Sequence, residues 1–495
     1  MRRSTSSTIR PLLSAKVFSG VLTIALTGLL LLLPLSRARM QQPVTSVIPV
    51  TSVTPVMPVT VNALSQTVLP PTTSEALGLS WNGYADTNLK FSEFFAEDHT
   101  LVLRFMPQFP NAYEGPLVAE NGTGRFVIGQ GDYLSGTQGT KLFLAVGTRS
   151  QSYEAALRPG QWYHLAVVAT TESTQRVFTL YLDGGQIGVP LAVPLNDPQL
   201  PRGTLRFGKR TDDQLVNLRN AQFFGMMDDI AVFDRALSAS EIKILDAKVL
   251  QLVGNESDLL AGYTFNQGAL PSKLTRPVTM HGAARKIGVS INRNDTADAT
   301  VLPLPTEHVE MALPFPPGEA WEVIQGYDQA NGSHKGYASF CWDFKIADQP
   351  QGGTYPNGSK GAPFYAAAQG AVVRVRQDGN SGLNNPANLV EIQHAREEIS
   401  GYLHLQRNSA AVEVNNTVIR GQLLALTGDT GANLGAYHLH FATTDKQDGV
   451  SGFVTYPIAF SNYEVRDANG NWRHIMRGIP RNGEVIRVPP QPTIH

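Results

Sequence analysis

The amino-acid sequence predicts a mostly β protein in which an N-terminal antiparallel β-sandwich, or jelly roll, is followed by a second β-rich domain. Short apolar runs bounded by Gly, Pro, Asn or Asp recur at residues 100–106, 141–147, 162–169, 177–183 and 205–209. Such runs without a long helical period are typical of antiparallel sandwiches. Asp183-Gly184, directly after an apolar run, predicts a hairpin turn. Strand patterns also occur near the C-terminus, at residues 463–465 and 483–488.

Length and composition set the limits of this interpretation. A chain of 495 residues suits two or three domains, and an apolar fraction of 42% fills real cores. The net charge is −1 and Lys and Arg are scattered, which excludes a basic stripe for nucleic acid and argues against a strongly acidic partner. Cys341 is the single cysteine, so an intrachain disulfide is impossible. We interpret it as a small buried core residue.

The N-terminal segment has the features of an export signal. Arg2, Arg3 and Lys16 precede an apolar run at residues 17–35, and small residues follow it. We therefore predict a signal peptide or signal anchor at residues 1–40, with the rest of the protein secreted, at the cell surface or in the periplasm. The run is long enough to remain as an anchor. We expect membrane contact only through this segment, if it is not cleaved.

The remaining boundaries follow from changes in composition. Residues 41–74 alternate Val, Thr, Ser and Pro, which predicts a semi-rigid spacer because Pro prevents helix and β-branched residues favour extended backbone. We assign residues 75–265 to the sandwich, 266–310 to a connector and 311–495 to the second domain. We expect the two domains to have independent cores, so that a fragment beginning near Val309 folds alone.

The candidate chemistry centres on two histidines near the C-terminus. Alternation along a strand sends His438 and His440 to one face and the intervening Leu439 toward a core. His334, Asp343 and His404 lie upstream, separated by strand-and-turn sequence. The motifs of this part of the chain follow in a fixed order: Gly332-Ser333-His334, Trp342-Asp343-Phe344, residues 360–373, Leu389-Val390-Glu391-Ile392-Gln393-His394, Tyr402-Leu403-His404-Leu405, Arg420-Gly421-Gln422, Thr427-Gly428-Asp429-Thr430-Gly431 and His438-Leu439-His440-Phe441. A catalytic zinc needs three protein ligands and an open position, which a His/Asp/His set supplies.

From about residue 318 to residue 443, this order of motifs resembles the lysostaphin-type zinc endopeptidases, which cut peptide cross-links in bacterial peptidoglycan. The resemblance implies that His334, Asp343 and His440 bind Zn²⁺ and that His404 and His438 are unligated catalytic histidines. His438 is expected to act as the general base, and His404 to stabilise the oxyanion of the tetrahedral intermediate. His394 also falls in this stretch, and we assign it a structural role.

The spacing of the first two ligands departs from the family, since eight residues separate His334 from Asp343 where the family has a shorter interval. Ligands need proximity only in space, and Gly336 allows a loop that returns Asp343 to the metal. Asp348 is the alternative to Asp343 as a ligand, and Asp328 is a poorer alternative.

A second resemblance covers the predicted sandwich. Gln161-Trp162-Tyr163-His164, Leu180-Tyr181-Leu182-Asp183-Gly184 and residues 225–239 resemble laminin-G-like, concanavalin A-like jelly-roll modules. The resemblance implies a glycan or a surface protein as the ligand of this domain, sometimes with Ca²⁺. Asp228 and Asp229 are candidate calcium ligands, although adjacent carboxylates without a wider oxygen set favour a structural role. We place His164 in a strand.

Two other classes of function remain open from the sequence. One is a catalytically inactive peptidase-like protein that binds or activates; the other is a surface adhesin whose activity lies in the sandwich. An open metal site is inhibited by a chelator and recovers with zinc, whereas a closed structural site is inert.

Overall fold

The computed structural model describes residues 73–80, 83–110, 115–131, 141–210, 222–247, 252, 254–266, 268–290, 308–329, 332–347, 358–395, 398–447 and 450–491. The predicted signal segment, and the spacer up to residue 72, lie outside these ranges. No helix within the described ranges is long and apolar enough to cross a membrane.

The N-terminal part consists of strands with one short α-helix. The strands are β1 (Thr73–Leu79), β2 (Tyr84–Lys90), β3 (His99–Pro107), β4 (Gly115–Asn121), β5 (Phe126–Gln130), β6 (Lys141–Val146), β7 (Arg149–Glu154), β8 (Tyr163–Glu172), β9 (Gln175–Leu182), β10 (Gly185–Pro194), β11 (Thr204–Phe207), β12 (Gly225–Phe233), β13 (Leu259–Thr264), β14 (Gly268–Ala269), β15 (Val278–His281) and β16 (Arg285–Ser290). A 3₁₀ turn spans Phe91–Glu93, and helix α1 spans Ala239–Ala247.

These strands form two antiparallel sheets that pack face to face. One sheet has the order β10-β9-β8-β3-β12-β1-β16, with β13 paired to β12 and β14 to β13; the other has the order β15-β2-β11-β4-β5-β6-β7. Alternate residues of β3, such as Leu101, Leu103 and Phe105, enter the core between the sheets. Val102 points to the other face, where it joins a cluster with Ile242 of α1. The predicted antiparallel sandwich is therefore confirmed.

The hairpin predicted at Asp183-Gly184 connects β9 to β10. Asp183 has φ 48° and Gly184 has φ 74°, and Leu182 pairs with Gly185 across the turn. Two successive residues with positive φ are typical of a type I′ turn, whose twist matches that of paired strands. Strands β14 to β16, within the segment predicted as a connector, pair with sandwich strands. The exact domain bounds remain a prediction.

The C-terminal part forms a second set of sheets. Its strands are β17 (Trp321–Gln325), β18 (Cys341–Ile346), β19 (Pro363–Tyr365), β20 (Gly370–Arg376), β21 (Leu389–Gln393), β22 (Glu398–Leu403), β23 (Thr417–Val418), β24 (Leu423–Leu426), β25 (Leu439–Gln447), β26 (Val450–Thr455), β27 (Phe460–Arg466), β28 (Trp472–Gly478) and β29 (Val485–Arg487). The main sheet has the order β23-β20-β21-β22-β25-β18-β17-β29-β27-β28, with β26 on β25, while β19 pairs with β24.

An aromatic cluster joins the sandwich to the C-terminal domain. Phe109 and Phe224 from the sandwich pack with Tyr327 and Phe340 in one buried core. The ring centroids of Phe109 and Phe340 are 4.9 Å apart, and those of Phe224 and Phe340 are 5.2 Å apart. Both parts belong to one compact unit. Two aromatic residues of the sandwich are therefore part of the C-terminal core.

Candidate metal centre

The pairing of β18 with β25 places an acid opposite a histidine. Asp343 is the register partner of His440, and the two side chains project to the same side, with His440 Nδ1 2.8 Å from Asp343 Oδ1. Their neighbours Trp342 and Phe441 alternate to the opposite side, where both are fully buried in the core. The sheet therefore fixes the acid and the histidine on a rigid platform.

His334 reaches the same carboxylate from the loop after β17. Its Nε2 lies 3.3 Å from Asp343 Oδ1, and its Nδ1 lies 3.1 Å from the carbonyl oxygen of Gly326. A carbonyl only accepts hydrogen bonds, so Nδ1 is the protonated nitrogen and Nε2 faces the site. The histidine is 1% exposed, which is consistent with a fixed orientation.

The long interval between His334 and Asp343 is accommodated by a loop that folds back. Gly336 has φ 60°, Asp328 N donates to Ser339 O at 2.8 Å, and Thr455 N donates to Tyr337 O at 2.9 Å. The spacing therefore does not keep Asp343 from the site. Asp328 is not part of the His334, Asp343 and His440 group, and Asp348 lies outside the described residues.

His404 and His438 lie beside this group. His438 Nε2 is 3.6 Å from Asp343 Oδ1, and the ring centroids of His404 and His438 are 4.6 Å apart. His404 has φ 66°, a left-handed conformation that is uncommon for a residue with a side chain and that is enriched at functional sites. The structure thus brings together all five side chains that the sequence predicts for the site.

Backbone carbonyls fix the tautomers of these two histidines. His404 Nδ1 lies 2.7 Å from Thr430 O, and His438 Nδ1 lies 2.7 Å from Ala436 O. Each Nδ1 must donate, so each neutral ring presents an unprotonated Nε2. A neutral ring in either position therefore acts as an acceptor at Nε2.

Burial and charge set the electrostatics of the group. Burial alone raises the pKa of Asp343, but its interactions with the neighbouring His334 and His440 outweigh burial and hold that pKa well below its usual range. Burial, together with the neighbouring His438 and His440, lowers the pKa of His404 to about 3. Burial also lowers the pKa of His440, against the attraction of Asp343. The acid is thus ionised and His404 is neutral at physiological pH.

The donor set fits a zinc ion. The ligand atoms of His334, Asp343 and His440 all lie within 4.8 Å of one another. Two imidazole nitrogens and one carboxylate oxygen are typical ligands of catalytic zinc, and three protein ligands leave a position for a reactant.

The sequence interpretation missed the residues that hold His404. The Thr430 hydroxyl donates to Leu405 O at 2.9 Å and accepts from Asn388 N at 2.9 Å, which fixes the carbonyl that His404 contacts. A Cβ on Gly431, which has φ 72°, would lie 2.6 Å from Ala387. The Thr-Gly-Asp-Thr-Gly motif marks this turn in the sequence, but a backbone carbonyl leaves no signal of its own.

The other singled-out histidine and acids lie apart from this group. His394 bonds to Gln369 O and Ser400 Oγ. In the sandwich, Asp229 Oδ2 lies 3.5 Å from Arg104 Nε, and burial raises the pKa of Asp229 to about 6 and that of Asp228 well above its usual value. Neither acid belongs to a group of three metal-capable side chains in the part that the structure describes. A calcium ion at Asp228 and Asp229 remains a prediction.

Fold and site together define a two-domain β protein with a candidate His/Asp/His metal centre. Residues 349–451 match peptidase family M23, and residues 82–243 match the concanavalin A-like lectin/glucanases superfamily. The chain thus carries a C-terminal peptidase M23 domain and an N-terminal concanavalin A-like domain, which confirms both resemblances. The M23 match includes His404, His438 and His440 but begins after His334 and Asp343.

Individual relatives share only parts of the chain. An uncharacterized metalloprotease of Haemophilus influenzae is 37% identical over 84 residues, which are 17% of this chain and 16% of the relative. The chain therefore spans about a sixth of that relative. Among solved structures, the match to a heptameric SAP-like pentraxin from Limulus polyphemus covers 43% of this chain and 94% of the pentraxin chain, at 14% identity and TM-score 0.31. The match to the deep-sea M23 metalloprotease pseudoalterin covers 35% of this chain and 99% of the pseudoalterin chain, at 17% identity and TM-score 0.24.

Proposed function

We propose that this protein is an exported zinc metalloendopeptidase that hydrolyses peptide cross-links of bacterial peptidoglycan. The observation that carries the proposal is the convergence of His334, Asp343 and His440 on one point, with His404 and His438 beside them. The M23 match supports peptidase chemistry in this domain. Zinc, when bound by the three ligands, supplies a Lewis acid that polarises a peptide carbonyl and lowers the pKa of water.

In this proposal, His438 moves the proton. Its Nδ1–H donates to Ala436 O, so Nε2 carries the lone pair on the side of the ring that faces Asp343. A neutral imidazole in this orientation accepts a proton from an attacking water and returns it to the leaving amine. The carbonyl of Ala436 and the bridge between His438 and Gly428 hold the ring in that orientation just before β25 begins.

The tautomer of His404 changes the role expected from the resemblance. Stabilising an oxyanion requires a donor, whereas His404 donates through Nδ1 to Thr430 O and presents an acceptor at Nε2. This geometry disfavours the expected donor role. We propose instead that His404 accepts a hydrogen bond from the attacking water and orients it, so that His404 and His438 act on the same reactant.

The experiment compares metal content with hydrolysis in single variants. His440→Ala removes a ligand, so bound zinc and release of peptides from purified peptidoglycan should both be lost. His438→Ala should keep zinc near stoichiometric while the rate falls about 10²- to 10⁴-fold. His474→Ala, an exposed histidine bonded to Asn462, is the matched control and should change neither.

Three results decide between this proposal and its alternatives. Equal loss of zinc in the His438 and His440 variants would mean that both are ligands of a closed structural site. Stoichiometric zinc without hydrolysis of any peptidoglycan type would favour an inactive binding or activating protein. Inhibition by a chelator and recovery with zinc would support the peptidase.

We also propose that the sandwich directs the enzyme to a glycan or a surface protein. The match to the concanavalin A-like superfamily supports this role. The test measures how much full-length His438→Ala protein is retained on cell walls, with soluble glycans added as competitors. We expect the protein to be retained and the glycans to reduce its retention. Retention that no glycan reduces, and that protease treatment of the walls does not reduce, would contradict targeting by the sandwich.

A further inference from the structure

A cavity of about 720 Å³ lies between the sandwich and the C-terminal domain, apart from the metal centre. Phe109 and Pro159 line it from the sandwich, and Tyr327 and residues of β27 and β28 line it from the other side. Its volume is in the range of sites that take a small organic ligand or one or two sugar rings. None of the five side chains of the candidate metal centre lines this cavity.

Arginines are the main charged groups of the cavity. Arg473 and Arg477 lie on β28, the last strand of the sheet, with Ile475 between them on the same face. Across the pair they face Val465 and Ser461 of β27. This arrangement places two guanidinium groups on either side of an apolar floor.

Neither of these guanidinium groups is used by the fold. Within the described residues, the side chains of Arg473 and Arg477 make no hydrogen bond and no ion pair, in contrast to the side chain of Arg487 on β29, which pairs with Glu464 at 2.6 Å. Burial lowers the pKa of Arg477, against the attraction of Glu310, which indicates that its charge is incompletely solvated. Arg477, partly buried and without a side-chain hydrogen bond or ion pair in the described part of the protein, and the exposed Arg473 beside it favour an external anion.

The other charges of the cavity leave room for that anion. Arg481 is the third arginine of the lining, and Asp328 and Glu484 are its acids. Glu484 accepts a hydrogen bond from Arg481 N at 2.8 Å, which ties this acid to its own turn. Among the residues that line the cavity, three cations therefore face two acids, and the planar guanidinium groups match carboxylate and phosphate geometry.

We propose that this cavity binds a ligand that carries an oxyanion, a carboxylate or a phosphate, on a body of about the size of a sugar. Arg473 and Arg477 hold the oxyanion, and the apolar floor at Ile475 contacts the body. The proposal does not depend on catalysis by the metal centre.

The test measures binding to the full-length protein by calorimetry. N-acetylmuramic acid and N-acetylglucosamine form a matched pair of probes, because they differ by a lactyl group that bears a carboxylate; glycerol phosphate is the probe for a phosphate source. We expect N-acetylmuramic acid or glycerol phosphate to bind and N-acetylglucosamine not to bind at this cavity. Arg473→Ala and Arg477→Ala should each weaken binding roughly ten- to hundredfold, with a further loss at high salt.

Controls separate this site from the others. Arg149→Ala removes an exposed arginine of the sandwich and should leave binding unchanged. His440→Ala should bind as well as the wild type, so failure of the proposed peptidase function leaves this test valid. Unchanged thermal unfolding of the arginine variants shows that they fold. Absence of binding by both anionic probes, or equal binding in the Arg473→Ala/Arg477→Ala double variant, would overturn the proposal.

Discussion

Phe340→Ala tests whether the contact with the sandwich supports the metal centre. Phe340 is 3% exposed, and its ring packs against Phe109, Phe224 and Tyr327 at centroid distances of 4.9, 5.2 and 5.4 Å. It lies in the loop between His334 and Asp343, three residues before the acid. Removing the ring therefore perturbs the domain contact and the ligand loop together.

The expected magnitude follows from this packing. Truncation of a fully buried Phe to Ala costs about 3 to 5 kcal/mol, because the transfer free energy is lost and a cavity remains. Phe340 N also donates to Thr455 Oγ1 at 3.1 Å, and this bond survives the substitution. We therefore expect the loop to loosen rather than detach, with weaker zinc retention and a free energy of unfolding lowered by about 3 to 5 kcal/mol.

The assay combines urea unfolding with zinc competition against a chelator. Phe143→Ala is the matched control, since Phe143 is fully buried in a sandwich cluster with Ala119 and Val127 and has no place near the ligands. The Phe143→Ala variant should have a lower free energy of unfolding and should retain zinc as the wild type does. A Phe340→Ala protein within about 1 kcal/mol of wild type, or one with unchanged zinc retention, would refute the reasoning.

The same assay tests the expected independence of the C-terminal domain. A fragment beginning at Val309 lacks Phe109 and Phe224, so the rings of Tyr327 and Phe340 lose the contacts that these two residues make with them. We predict that the fragment still unfolds cooperatively, because the rest of its core is internal, but that it holds zinc less tightly than the full chain. A fragment without cooperative unfolding would contradict independent folding.

Three further predictions address single residues. His404→Ala should keep its zinc and lose activity, because His404 lies outside the group of His334, Asp343 and His440; loss of metal content in this variant would contradict that. Gly431→Ala should lower the rate, since its Cβ would clash with Ala387 and displace the carbonyl that holds His404, whereas Gly435→Ala, with open space around it, should have a smaller effect on turnover. Burial lowers the pKa of His99 to about 4. The stability that the neutral His99 contributes is therefore complete above pH 6.5 and falls by about 3 kcal/mol as the pH drops to about 4. Over this pH range, the free energies of urea unfolding of wild type and His99→Gln should change relative to each other by that amount, and parallel pH curves would refute the prediction.

The sequence by itself predicted the local elements and named the five side chains that the structure brings together. Period-two alternation predicts that His438 and His440 share a face while Leu439 and Phe441 enter the core, and Asp183-Gly184 predicts its hairpin, because these features depend only on neighbouring residues. The order of motifs also indicated the two kinds of domain, which the family matches confirm. The proposed ligand and catalytic roles stay predictions until metal and activity are measured.

Only the tertiary structure decided how these residues act together. Asp343 and His440 are 97 positions apart, and they meet because β18 pairs with β25 in one register, which no local pattern encodes. The carbonyls of Thr430 and Ala436 set the histidine tautomers, and a carbonyl is present in every residue, so its role depends on position alone. The contact of Phe340 with the sandwich and the arginines around the cavity likewise depend on long-range packing, because they join segments that are distant in the chain.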